Sequence, residues 1–142
     1  MPADEQVLSV VRGWVRKAET DLKIAVLVFR AAEEGTTEAI AFHAEQCVEK
    51  YLKALLSWET IDFPKTHDIG QLMLLLPMSA RAKLAPEEQR RLTLYATVTR
   101  YPGDYIPVTI QEARRALAIA RRIRTHVRKH LPLSALRRRK PR

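Results

Sequence analysis

Apolar residues recur along this chain every three or four positions, the spacing of one face of an α-helix. In the first segment Val7, Val11, Trp14, Ala18, Leu22, Ala25 and Phe29 keep that spacing. Gly35 and the pair Thr36-Thr37 suit the end of one helix and the start of the next. The second helix is predicted from about Glu38 to Leu56. On a helical wheel Ile40, Ala44, Cys47, Val48, Tyr51, Ala54 and Leu55 fall on one side, a stripe that faces a core.

The loop SWETIDFPKT follows, and its Pro64 cannot continue a helix. Thr66 is placed to cap a short third helix with Asp68 in its first turn, where negative charge suits the dipole. That helix carries Ile69, Leu72, Met73 and Leu76 and stops at Pro77, with a further helical turn expected around Ala80–Lys83. Pro86 opens a fourth helix beside Glu87 and Glu88. Its apolar positions are Leu92, Leu94, Tyr95 and Val98. Thr109-Ile110-Gln111-Glu112 has the capping-box pattern and begins the fifth helix, with Ile110, Ala113, Leu117, Ala120, Ile123, Val127 and Leu131 along its apolar line. Four long helices and one short one, joined by short loops, predict an all-α antiparallel bundle over residues 1–133. Residues 134–142 read as a basic tail without fixed structure.

Composition narrows the class. A chain of 142 residues with 46% apolar residues fits one globular domain. The single cysteine, Cys47, excludes an internal disulfide and suits a reducing cytoplasm. MPADEQ has no apolar core, so no signal peptide is expected, and no apolar run reaches the ~20 residues of a membrane span.

Charge is more telling than its total of +9. Residues 113–142 hold twelve Lys/Arg and no Asp/Glu, leaving 13 Lys/Arg against 16 Asp/Glu in the rest. Such a block either meets phosphate or is simply solvated.

Candidate chemistry lies in two places. His43, Gln46, Glu49, Lys50 and Lys53 lie opposite the core stripe of the second helix, and His43, Gln46 and Lys50 stack on one edge. They can grip a ligand or form a wet face. Glu49 and Lys53 read as an ordinary i, i+4 pair, worth roughly 0.2–0.5 kcal/mol. The second place is TRYPGDY, residues 99–105. Pro102, Gly103 and Asp104 make a helix stop. Arg100, Tyr101 and Tyr105 are surplus to that stop, and an arginine beside aromatics can hold a phosphate and stack a base. Metal binding finds little support: His126 and His130 are i, i+4 but sit among arginines, at a helix end whose dipole suits them. No nucleophile elbow, Walker loop or dinucleotide fingerprint occurs, and no cofactor is expected.

The order AFHAEQCVEKYLKALL, FPKTHDIGQLMLLL, LYATVTRYPGDY, after a helix bearing Trp14, Ala18, Asp21, Leu22 and Ala25, resembles the HEPN domain family over roughly residues 8–131. The resemblance implies a helical bundle that dimerises. In prokaryotes it often implies a minimal nucleotidyltransferase partner in a toxin–antitoxin or related system. Many members are metal-independent RNases built on an arginine followed, after four to six residues, by a histidine. Arg100 matches that arginine, but Tyr105, Ile106 and Pro107 stand where the histidine belongs. Imidazole moves protons near neutral pH, so its loss argues against the reaction. The chain is similar instead to the branch carrying RYP there, for which nucleotide binding is implied.

Three readings follow. The first is a non-catalytic nucleotide- or RNA-binding homodimer acting with a nucleotidyltransferase, with Arg100, Tyr101, Tyr105, His43, Gln46 and Lys50 at its site. The second is an RNase using His43 or His67 as its base. The third is a purely structural dimerisation partner.

Overall fold

The computed structural model describes residues 2–97 and 107–137. Among these the regular elements are all helical: α1 Pro2–Ala31, α2 Thr37–Trp58, α3 Ile69–Leu75, α4 Pro86–Ala96, α5 Ile110–His130 and α6 Leu133–Leu136, with a 3-10 turn at Met78–Ala80. The all-α class is therefore as the apolar spacing predicts. Val98, assigned to the fourth helix, lies outside the described residues.

The helix ends follow local chemistry. Gly35 takes φ +79°, a left-handed conformation that lets the chain reverse between α1 and α2. α2 closes with a Schellman motif: the Thr60 N–H donates to Ser57 O at 3.1 Å and the Ile61 N–H to Leu56 O at 2.9 Å. The left-handed residue there is Thr60, φ +56°, where glycine is usual. α3 differs in its cap. Asp68, not Thr66, is the N-cap, accepting from the Gln71 N–H, while the Thr66 hydroxyl accepts from the Asp68 N–H. A helix two residues later places the carboxylate at the cap itself, where it satisfies an orphan donor directly. The next helical turn is the 3-10 turn at Met78–Ala80, earlier than the expected Ala80–Lys83. Pro86 opens α4, and the Glu88 carboxylate accepts from the Ala85 N–H at 3.0 Å. Thr109 caps α5 by accepting from the Glu112 N–H at 3.1 Å.

α2 is the axis of the molecule, touched by α1, α3, α4 and α5. α1 runs antiparallel to it, since Trp14 lies near Lys53 and Asp21 near His43. α4 and α5 are also antiparallel, with Glu88 near Arg122 and Tyr95 near Glu112. Enclosure changes the reading of α2. Its expected stripe is buried, but so are Ala41, Glu45, Glu49, Leu52, Lys53 and Leu56. Leu133–Leu136 is a helical turn rather than loose chain: Ala135 is buried and the Arg12 Nε donates to Ser134 O at 2.8 Å.

Candidate functional site

The polar edge of α2 is a covered seam, not a solvated face. Asp21 reaches it from α1 and is only 6% exposed. Its Oδ1 lies 2.8 Å from His43 Nδ1, and Lys50 Nζ donates to Oδ2 at 2.5 Å. His43 and Lys50 are seven residues apart, two turns on one helix face, so one carboxylate from α1 can bridge them. A charge-assisted pair of this kind is strong because its groups are partly removed from water. The His43 and Lys50 side chains keep 26% and 22% of their surface.

Gln46 turns away from that bridge. Its Nε2 donates to Glu45 Oε2 at 2.8 Å and to Glu49 Oε2 at 3.1 Å. The ligand grip expected of His43, Gln46 and Lys50 is thus split between two carboxylate centres. Lys53 Nζ donates to Glu49 Oε1 at 2.7 Å and sits over the Trp14 and Phe63 rings, 5.4 and 5.9 Å from their centroids. The Glu49–Lys53 pair is therefore buried and caged by aromatic rings, not the exposed pair its spacing suggests. His67, from the loop before α3, donates through Nδ1 to Glu49 Oε2 at 3.0 Å and stays largely exposed.

Glu45 and Glu49 form the acidic heart of the seam. Burial, and then the charge of Glu49, push Glu45 up to about 10, so it holds its proton at neutral pH. Burial works upward on Glu49 too, but hydrogen bonds from Glu45, Lys53 and His67 outweigh it and hold Glu49 below the usual carboxylate range. Glu45 Oε1 is buried and has no hydrogen-bond partner among the described residues.

A second ionic cluster ties α1, α2 and α5. Arg124 grips Glu19 through Nε at 2.9 and 3.1 Å, and Arg128 reaches both Glu19 and the Tyr51 hydroxyl. Burial raises Glu19, yet the Arg124 hydrogen bond and the two guanidinium charges hold it low. His126 Nε2 donates to Ala80 O at 2.7 Å and His130 Nδ1 to His126 O at 3.0 Å, so each ring spends an N–H on a backbone carbonyl. Among the described residues no cluster of three or more His, Cys, Asp or Glu is placed to hold a metal.

The described site thus unites His43 and Lys50 through Asp21 and draws Gln46 to Glu45 and Glu49. Arg100, Tyr101 and Tyr105 lie outside the described residues. Spacing missed Asp21 and Glu45. Asp21 was visible as an acid within the apolar line of α1, between Ala18 and Ala25. Glu45, one position from the stripe residue Ala44, carried no such signal.

A helical bundle with a buried polar seam between its first two helices is the class these observations define. The chain belongs to the HEPN domain family, whose model matches residues 11–130. It is similar to a crystal structure of TT1696 from Thermus thermophilus, with 27% identity, a TM-score of 0.70, and coverage of 85% of this chain and 98% of that one. Comparison with curated protein sequences gave no match. No helix among the described residues is long and apolar enough to cross a membrane.

Proposed function

We propose that the protein is a cytoplasmic, non-catalytic HEPN homodimer that binds a nucleotide or RNA and acts with a minimal nucleotidyltransferase in a toxin–antitoxin-like system. The observation that carries this reading is the segregation of charge. Arg114, Arg115, Arg121, Arg122 and Lys129 are all exposed on α5, in a stretch with no acidic residue from 113 onward. A one-signed helix face attracts a polyanion and releases its counterions on binding. Arg100, Tyr101 and Tyr105 are proposed to extend that surface from the RYP stretch. ATP and a short RNA titrated against wild type and Arg100→Ala test it. Weaker binding by the variant supports the reading; equal affinity removes Arg100 from the site.

One observation favours a second reading, an RNase with a non-standard base. Each of the four histidines has one ring nitrogen in a described contact, with Asp21, Glu49 or a backbone carbonyl. His67 pairs Nδ1 with the ionised Glu49 while 59% of its side chain is exposed, so Nε2 is free to take a proton. Structured RNA incubated with wild type and His67→Ala decides: cleavage lost in the variant supports it, and no cleavage by the wild type rejects it.

A further inference from the structure

α4 and α5 diverge around a groove of about 400 Å³, away from the α1–α2 seam. Its volume lies in the range of small-molecule sites. Three kinds of chemistry meet in it. Ala118 and Ile119 offer apolar surface to it, with the buried Leu92 and Ala116 behind them. Glu88 and Glu112 stand on the rim as hydrogen-bond acceptors. Arg91, Arg115 and Arg122 bring guanidinium groups to the same rim.

The guanidiniums are not equivalent. Arg91 meets Glu87 and Glu112, and Arg122 meets Glu88. Arg115 has no ion pair or hydrogen bond among the described residues, so its five donors are available to a ligand. Arg90, outside the groove, also pairs with Glu87. A ligand that satisfies all three features has a flat ring for the apolar surface, hydroxyl or amine donors for the carboxylates, and an anionic group for Arg115. Simple aryl acids lack the donors and inorganic phosphate lacks the ring. A structured RNA is too large for a groove of this volume.

We propose that the α4–α5 groove binds a nucleoside phosphate, the base on Ala118 and Ile119 and the phosphate on Arg115. The assignment rests on the nucleotide-binding reading and moves the ligand from the α2 edge. There Asp21 already engages both Lys50 and His43.

AMP is titrated calorimetrically against the full chain, with adenosine and ribose 5-phosphate as partial ligands. AMP is expected to bind one per chain, and each partial ligand at least about tenfold more weakly. Arg115→Gln is expected to lose at least about tenfold in AMP affinity, whereas Lys17→Gln, the same charge change at an exposed position of α1 outside the groove, is expected to stay within about twofold. Ala118→Trp fills the groove from an exposed position and is expected to abolish binding. Equal AMP affinity in wild type, Arg115→Gln and Ala118→Trp overturns the groove while leaving nucleotide binding intact. Ribose 5-phosphate binding as tightly as AMP also overturns it, since the apolar surface is then unused. No AMP binding alongside retained RNA binding rejects the groove and keeps the RNA form of the proposed function. No binding of AMP or RNA removes both.

Discussion

Glu45 carries a carboxyl group with no exposed surface, yet its neighbours are another carboxylate and an amide. The unfolded chain releases this proton near pH 4.5, whereas burial keeps it in the folded chain up to about 10. The folded state therefore binds more protons across that window, and stability falls as pH rises through it. Glu45→Gln keeps the shape and removes the titration. We expect it to be more stable than wild type by about 1–3 kcal/mol at pH 8, with the gain gone by about pH 4. Urea melts at the two pH values measure this, and a gain equal at both would contradict it. Asp21 acts in the opposite sense, since its removal strands partners. Asp21→Asn is expected to cost about 1–2 kcal/mol, discounted because Lys50 and His43 are partly exposed. If the α2 edge were the ligand site, the same variant would free the Lys50 and His43 side chains and tighten AMP binding; unchanged affinity agrees with the groove. Neither residue's role was legible from spacing. A wheel shows which residues share a face, but not which helix covers it, and Asp21 lies 22 positions before His43.

The helices themselves were largely legible, because apolar spacing and end residues are local properties. α2 was expected over Glu38 to Leu56 and spans Thr37–Trp58. The capping pattern at Thr109 and the proline at Pro86 mark helix starts that occur in the structure. α3 was misjudged by one cap because Thr66 and Asp68 can both accept a backbone N–H, and only the loop path decides between them. Burial of α2 on its polar side was hidden for a different reason. Lys53 and Glu49 look like surface residues until Trp14 and Phe63 close over them. The end of α2 also holds a reserve of strain. Thr60 is β-branched and left-handed, a conformation that costs about 1 kcal/mol or more in non-glycine residues. Thr60→Gly is expected to raise stability by about 0.5–1 kcal/mol, offset in part by greater freedom of the unfolded chain. Thermal melts decide the sign, and a lower midpoint would show that the Thr60 hydroxyl contact with Glu59 O outweighs the strain.

Across the whole molecule, charge is sorted: a mixed body and a basic end. Four of the basic residues, at 138, 139, 140 and 142, lie beyond the described residues. If these residues bind single-stranded RNA, deleting 138–142 should reduce the salt slope of log K by about 3. If exposed α5 holds the RNA instead, the slope changes by less than about 1. Filter binding at several salt concentrations separates the two. The same bundle also encloses Cys47, the only sulfhydryl in the chain, with none of its surface exposed. Burial, reinforced by the charges of Glu19 and Asp21, pushes its thiol well above the ordinary range, so the native form offers almost no thiolate. A thiol reagent can reach this sulfur only when α2 parts from its neighbours. Cys47 is thus a built-in clock: its labelling rate counts the openings of the bundle, and a ligand that clamps the helices together must slow it.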